Sequence, residues 1–242
     1  MFLWGDFHTH TIYSHGSGSI EDNVKEAVKK GLLAVGISEH GPANMGIGMK
    51  IEDYAKMRDE IEKLKEIYEI NILLGCEANV ISTCGKLDIP DKLIEELDYV
   101  MVGLHPLVWP LSLSDGYHLV VKNIIAKKIN PCLKSQVKMQ NTAILINVLN
   151  NYKVDAITHP GLHLPIDTAE LAKSAAKVGT ALEINSGHGF MTEEFVRIAK
   201  NHGARFIIGS DAHHPNRVGD FSRAVQIAQK AGLTKKDIIN AS

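Results

Sequence analysis

Gly5-Asp6-Phe7-His8-Thr9-His10-Thr11, closely followed by His15, decides how the rest of the chain is read. On an extended strand successive side chains point to opposite faces, which puts Asp6, His8 and His10 on one side and Phe7 and Thr9 on the other. Two imidazoles then converge on one point. Neutral imidazole nitrogen suits Zn, Fe, Mn or Ni, and a two-residue repeat presents a pair of rings without distortion. A lone His-x-His is a weak signal, so the remaining histidines decide its meaning.

Working outward, the loop Thr11 to Gly18 leads to Ser19, a helix cap with an acidic residue three positions on, and Ile20, Val24, Ala27 and Val28 form an apolar stripe ended by Gly31. Leu32 to Ile37 reads as a buried strand delivering His40. A helix near Glu52 to Tyr68 precedes the strand Ile70 to Cys76, followed by Glu77-Ala78-Asn79. A weaker helix at Asp91 to Glu96 precedes the strand Tyr99 to Gly103 and then His105-Pro106. Further on, Val154 to Thr158 leads to His159, Ala181 to Ile184 to Asn185, and Arg205 to Gly209 to Ser210-Asp211-Ala212-His213. Helices are expected from the Asp167 cap to near Gly179, over Thr192 to His202 and over Phe221 to Ala231, with one more turn between Leu233 and Ser242.

Strand and helix alternate seven times, as in a parallel α/β sheet. Small (β/α) barrels carry functional groups at the C-terminal ends of their strands. His10, His40, Glu77, His105, His159, Asn185 and Asp211 all fall there. A core role does not explain the pattern, because a buried unpaired His or carboxylate is costly.

The 242 residues, 22% charged and 45% hydrophobic, describe one ordinary globular domain, and a net charge of -2 predicts no strong overall attraction to nucleic acid. The first residues carry no basic region or long apolar run, and no later segment approaches a membrane span, so a cytoplasmic chain is expected. Cys76, Cys84 and Cys132 lack paired spacing and are read as free thiols. Any metal is then held by His and carboxylate. Residues 106–153 break the rhythm and are read as an insertion between the fourth and fifth strands. Lys122, Lys127, Lys128, Lys134 and Lys138 lie there with no acidic residue between Gly116 and Asn150, giving the segment +5 against -7 elsewhere. It is read as a solvated helix face or as a lid or anion-attracting rim.

Asp6-Phe7-His8-Thr9-His10, His15, Ser38-Glu39-His40, Glu77, His105, His159-Pro160 and Gly209-Ser210-Asp211-Ala212-His213 resemble the ordered motifs of the PHP (polymerase and histidinol phosphatase) superfamily, from residue 6 to about 231. With Gly75-Cys76-Glu77-Ala78-Asn79 and Leu182-Glu183-Ile184-Asn185, the chain is most similar to the small YcdX-type bacterial phosphatases of that family. The resemblance implies a single PHP domain over 1–242, a distorted seven-stranded, TIM-like barrel with three divalent metals at its mouth, Zn first, with Mn or Fe as alternatives. It implies a first metal on His8, His10, Glu77 and Asp211, a second on Glu77, His105 and His159, and a third on His15, His40 and His213. Carboxylates such as Glu77 suit a bridge, since clustered cations need negative charge between them. Many members have Asp where His15 stands and Thr-Asp where Ser38-Glu39 stand. His15 matches the three-metal members, and Glu39 is expected behind the ligands as an acceptor.

The implied reaction is hydrolysis of a phosphate ester by a metal-bridging hydroxide, with Glu77, Asp211 and His213 as catalytic residues and a small phosphorylated substrate. Asp6 is expected to orient a metal-binding imidazole. Asn185, Asn79, His163, His188 and His214 are candidates for substrate contact, and Arg217 is either a phosphate clamp or one half of a surface ion pair. His202, late on a helix, suits a capping role. His118 is uninformative. Three rivals stand beside this reading: an amidohydrolase barrel, a phosphodiesterase acting on nucleic acid with the Lys-rich segment gripping the backbone, and a non-catalytic metal-binding module. The full ligand set favours an enzyme. Nothing in these residues selects histidinol phosphate over sugar or nucleotide phosphates, and oligomeric state is left open.

Overall fold

Seven apolar runs become seven parallel strands, β1 (Gly5–Asp6), β2 (Ala34–His40), β3 (Asn71–Asn79), β4 (Tyr99–Gly103), β5 (Ala156–Ile157), β6 (Ala181–Asn185) and β7 (Phe206–Gly209). The computed structural model describes residues 1–128 and 131–242. The strands pair in sequence order, and the sheet curls into a nearly closed barrel. Between its edge strands, Thr9 bridges Ala212, with His10 N donating to Ala212 O at 2.8 Å. Asn240, at the C-terminus, spans the same gap. Its Nδ2 donates to Gly5 O and Ile208 O, and its Oδ1 accepts from Ile208 N.

Alternation along each strand splits the core in two. Val35, Ile37, Ile72, Leu74, Leu182 and Phe206 belong to the outer core with residues of the surrounding helices. Phe7, Ala34, Met101, Ala156, Ala181 and Ile207 fill the barrel's inner floor with Tyr99. The Tyr99 hydroxyl donates to Phe7 O at 2.8 Å. Its ring lies against Gly36 and Gly75, where any Cβ would collide with it. This apolar floor leaves the polar inward positions crowded at the other end.

The helices are α1 (Ile20–Lys29), α2 (Asp53–Lys65), α3 (Asp91–Glu96), α4 (Leu113–Gly116), α5 (Lys122–Lys128), α6 (Pro131–Asn151), α7 (Thr168–Val178), α8 (Glu193–Asn201) and α9 (Ser222–Lys230). Ser19 and Asp22 form the expected capping box on α1, which buries Ile20, Val24 and Ala27 but leaves Val28 exposed. α2 ends earlier than Tyr68. The expected extra turn is present, with Asp237 N donating to Thr234 O at 3.0 Å, and the residues after it close the barrel. Between β4 and β5 run α4, a π-helical stretch Tyr117–Val121, α5 and α6. Lys138 there pairs with Asp167 at 2.8 Å and Lys122 reaches Gln140 at 3.0 Å. The side chains of Lys127 and Lys128, two of the lysines of the expected rim, lie outside the described residues. No described helix is long and apolar enough to cross a membrane.

Candidate metal centre

The first departure from expectation is in the opening motif. Pairing of β1 with β2 stops at Asp6 opposite Val35, and the next two residues have no ladder partner. There the alternation slips by one, as at a bulge. Phe7 therefore joins the inner floor, while Thr9 turns outward to Gly36 O and Asn23. Asp6 does not orient an imidazole as expected. Its carboxylate accepts from the backbone of Ser210, Gly219 and His8, tying the β7 exit loop to β1. Burial raises its pKa despite those bonds.

His8 and His10 still face inward, and β2, β3, β4, β5 and β7 each add a group at or after their C-terminal ends. His40 and Glu77 are direct partners across β2 and β3. His105 follows β4, His159 follows β5, and Asp211 and His213 follow β7. Glu77, fully buried, sits among them: Oε2 is 2.8 Å from His40 Nδ1 and 3.5 Å from His8 Nε2. Its Oε1 is 2.8 Å from His159 Nε2 and 3.4 Å from His105 Nε2. Asp211 Oδ1 lies 3.6 Å from His8 Nε2 and 3.5 Å from His10 Nε2. His10 stacks on His40 and His213 at centroid distances of 4.4 and 4.5 Å, and His15 lies 4.0 Å from His213. The fold thus brings all nine expected ligands together. Two of these residues, His159 with φ 28° and Asp211 with φ 55°, hold a backbone conformation that costs energy outside glycine.

What this cluster lacks is internal satisfaction. His8 Nε2, both nitrogens of His10, His40 Nδ1, Glu77 Oε2 and His213 Nε2 are buried without a well-formed hydrogen bond. Buried polar atoms are normally paired, and leaving one unpaired costs about 1–3 kcal/mol. Orphaned nitrogen and carboxylate atoms converging at 2.8 to 3.8 Å fit divalent cations. Four triads offer atoms within 4.8 Å of one another: His8, His10 and Glu77; His40, Glu77 and His105; His10, His40 and His213; and His8, His159 and Asp211. His8, His10, His40 and Glu77 each belong to more than one triad, whereas the expected sets Glu77, His105, His159 and His15, His40, His213 are not among these triads and His15 belongs to none of them.

Behind the cluster, groups the sequence reading underused fix the rings. Glu183, on β6, is the residue that does what was expected of Asp6. Its Oε1 lies 2.7 Å from His8 Nδ1, and its Oε2 accepts from His159 N and Asn185 Nδ2. A glutamate inside the apolar run Ala181 to Ile184 was the available signal. Asn79 faces no substrate: its Nδ2 donates to Asp88 Oδ2 at 2.6 Å and to Gly41 O, leaving Oδ1 toward His105 Nδ1 at 2.7 Å. His105 must then donate from Nδ1, so its Nε2 lone pair faces Glu77. Glu39 accepts from Thr11 N at 2.7 Å and from the hydroxyls of Thr11 and Ser14, with Oε2 3.8 Å from His10 Nδ1. Asn185 is buried and committed: it donates to Glu183 and Asp211 and accepts from His188 N.

Other candidates separate clearly. His188 lines the cavity with Nε2 3.0 Å from Asp211 Oδ2. His163 also lines it. Arg217 pairs with Asp220 at 2.6 Å, and His214 caps the short turn Pro215–Arg217; neither is among the cavity-lining residues. His202 Nδ1 donates to Ile198 O at the end of α8, the capping role expected. His118 reaches Gln140.

Charge divides the rings. Burial works against a proton on His10, but the nearby carboxylates of Asp211 and Glu39, 3.5 and 3.8 Å from its nitrogens, outweigh it and raise the pKa to about 9. For His8, burial is likewise outweighed, by Glu183, Asp211 and Glu77, and the pKa stands well above the usual imidazole range. Burial and the neighbouring rings push His15 down to about 4; burial drives His40 to about 3 although Glu77 opposes it. Burial would raise Glu77 and Asp211, but the surrounding imidazoles hold both well below the usual carboxylate range.

The cavity above this cluster has a volume of about 280 Å³. Comparison with known proteins gives the same picture. A probable phosphatase of Acetivibrio thermocellus is 31% identical over 98% of this chain and 90% of its own length. Another, of Clostridium novyi, is 32% identical over 97% of this chain and 89% of its own. Among solved structures, histidinol phosphate phosphatase of Lactococcus lactis, complexed with zinc, L-histidinol and phosphate, superposes with a TM-score of 0.62 at 15% identity, covering 96% of this chain and 95% of that one. The PHP domain pattern matches residues 6–236, and the chain belongs to the PHP domain family.

Proposed function

We propose that this protein is a metal-dependent phosphatase that hydrolyses phosphate monoesters at a centre holding three divalent ions, zinc first, bound by His8, His10, His15, His40, Glu77, His105, His159, Asp211 and His213. The observation that carries this reading is the set of orphaned buried donor atoms around Glu77. The names of the relatives support the phosphatase class. Bound divalent ions supply Lewis acidity toward phosphoryl oxygens and lower the pKa of water.

The chain's own part is positioning. Glu183 and Asn79 hold His8 and His105 with Nε2 lone pairs turned inward. Asn185 fixes Asp211 and the backbone of His188 together. His188 presents a half-exposed ring at the cavity, where Nε2 can hold a proton between Asp211 and a substrate oxygen. Glu77 and Asp211 stay ionised and offset cationic charge. Among the described residues no lysine or arginine lines the cavity, and this favours a monoester over a nucleic-acid backbone.

The test is elemental analysis of the purified protein beside hydrolysis of an aryl phosphate, before and after chelation. About three metal equivalents with activity that chelation removes support the reading. Fully metallated protein that turns over neither mono- nor diesters overturns it.

A further inference from the structure

The cavity is lined by two unlike sets of residues. One is the cluster: His15, His40, His105, His159, Asp211 and His213. The other, an apolar set, is Met45, Ile47, Pro106, Leu107 and Leu162. The apolar set is built rather than incidental, because the loops after β2 and β4 are joined by backbone bonds. Met45 N donates to Leu107 O at 3.1 Å, Trp109 N donates to Ala43 O at 2.8 Å, and Asn44 bridges Val108. Leu162 is set by its own backbone bond to His159 O. Outside the cluster, the polar side chains on the cavity are Asn44, His163 and His188, and no lysine or arginine lines it among the described residues.

Resting on the phosphatase reading above, we propose that the ester accepted here carries a small, uncharged, largely apolar alcohol, held by Met45, Ile47, Leu107 and Leu162. A phosphoryl group at the cluster leaves the alcohol to those apolar side chains. Hydroxyls or charges on the alcohol would lose water there and find few partners, which is costly. Apolar carbon gains by leaving water. The size agrees: about 280 Å³ is at the lower edge of the roughly 300–1,000 Å³ of small-molecule pockets, room for a phosphoryl group and one modest substituent.

The experiment compares kcat/KM of the zinc-loaded full chain for benzyl and butyl phosphate with glycerol 3-phosphate and O-phosphoserine. All four release alcohols, so the ratio reports recognition more than leaving-group acidity. The expected ratio favours the apolar esters by about tenfold or more, the scale set by apolar pocket contacts. Leu107→Asn and Ile47→Asn, singly and together, bring it toward one. Leu107 is 54% exposed, so its substitution spares the fold, and an unchanged thermal midpoint verifies this. Equal or better turnover of the polar esters overturns the proposal while leaving the phosphatase reading intact. A ratio unmoved in the double variant also overturns it. Turnover of no ester at all withdraws both.

Discussion

Nδ1 of His8 stands 2.7 Å from Oε1 of Glu183, a contact that reaches from the segment after β1 past Gly209 of β7 to β6, with both side chains fully buried. The carboxylate accepts the Nδ1 proton, and Nε2 is left turned toward Glu77 and Asp211. Groups that orient a liganding imidazole in this way are worth about 10–100-fold in metal affinity. Glu183→Gln should therefore weaken zinc binding by a factor in that range in a competition titration against a chromogenic chelator, with the protein still folded by circular dichroism. Affinity equal to wild type would show that His8 needs no anionic partner.

Asp88 should act at longer range. It binds Asn79 through both side chain and backbone and also receives Ala43 N, so it fixes the Asn79 amide with Oδ1 toward His105. Asp88→Asn presents an amide that can turn its own NH2 toward Asn79, allowing the Asn79 amide to flip and offer NH2 to His105. Zinc content at a fixed limiting free zinc concentration should fall. Equal zinc content in Asp88→Asn and wild type would sink the argument.

These two residues show where sequence reading stops. His40, His105, His159 and Asp211 were legible because each falls at or just past a strand end beside Gly, Pro or Ser, and Glu77 because it closes the apolar run Ile70 to Cys76, positions where chain topology alone implies the barrel mouth. Glu183 was visible only as a charge within the run Ala181 to Ile184, and what it touches depends on the barrel closing so that β7 lies beside β1. Asp88 lies in the loop after β3, with no periodicity to place it. Asp6 was assigned to the ligand face by strict alternation, which fails where the ladder ends at Phe7. Asn240 read as part of a last turn, since nothing local announces that a C-terminal amide will span two strand edges.

Asn240 gives a stability prediction. Its fully buried side chain makes three bonds to the facing edges of β1 and β7, and those backbone groups have no strand partner there. Asn240→Ala orphans them, at about 1–3 kcal/mol for a buried group. Asn240→Leu adds bulk without restoring the bonds and should be no better. Urea unfolding should show a lower midpoint at an unchanged slope. A midpoint equal to wild type would mean that the Thr9 to Ala212 bridge closes the barrel unaided.

Proton linkage should separate the metal-free from the loaded protein. His10, raised to about 9 by Asp211 and Glu39 against burial, and His8, raised in the same way, carry protons near neutral pH, and a metal must displace them. Zinc titrated into stripped protein at pH 7 should release protons from these rings and from His159, whose pKa Glu77 also raises against burial, read from the slope of binding heat against buffer ionisation enthalpy. His15 at about 4 and His40 at about 3 are already neutral and release none. For stability the signs oppose. The unfolded imidazole pKa is about 6.5, so the His10 contribution is complete below that and lost as pH rises through about 9. The His15 and His40 contributions are complete above about 6.5 and lost as pH falls toward 4 and 3. Heating scans of the stripped protein should therefore show a midpoint that falls between neutral pH and pH 9, and falls again on acidification. The zinc-loaded protein should hold its midpoint through the alkaline limb, because coordinated rings carry no proton there to lose. A stripped protein as stable at pH 9 as at pH 7 would show that His10 is neutral without metal and that its two carboxylate neighbours do not govern it.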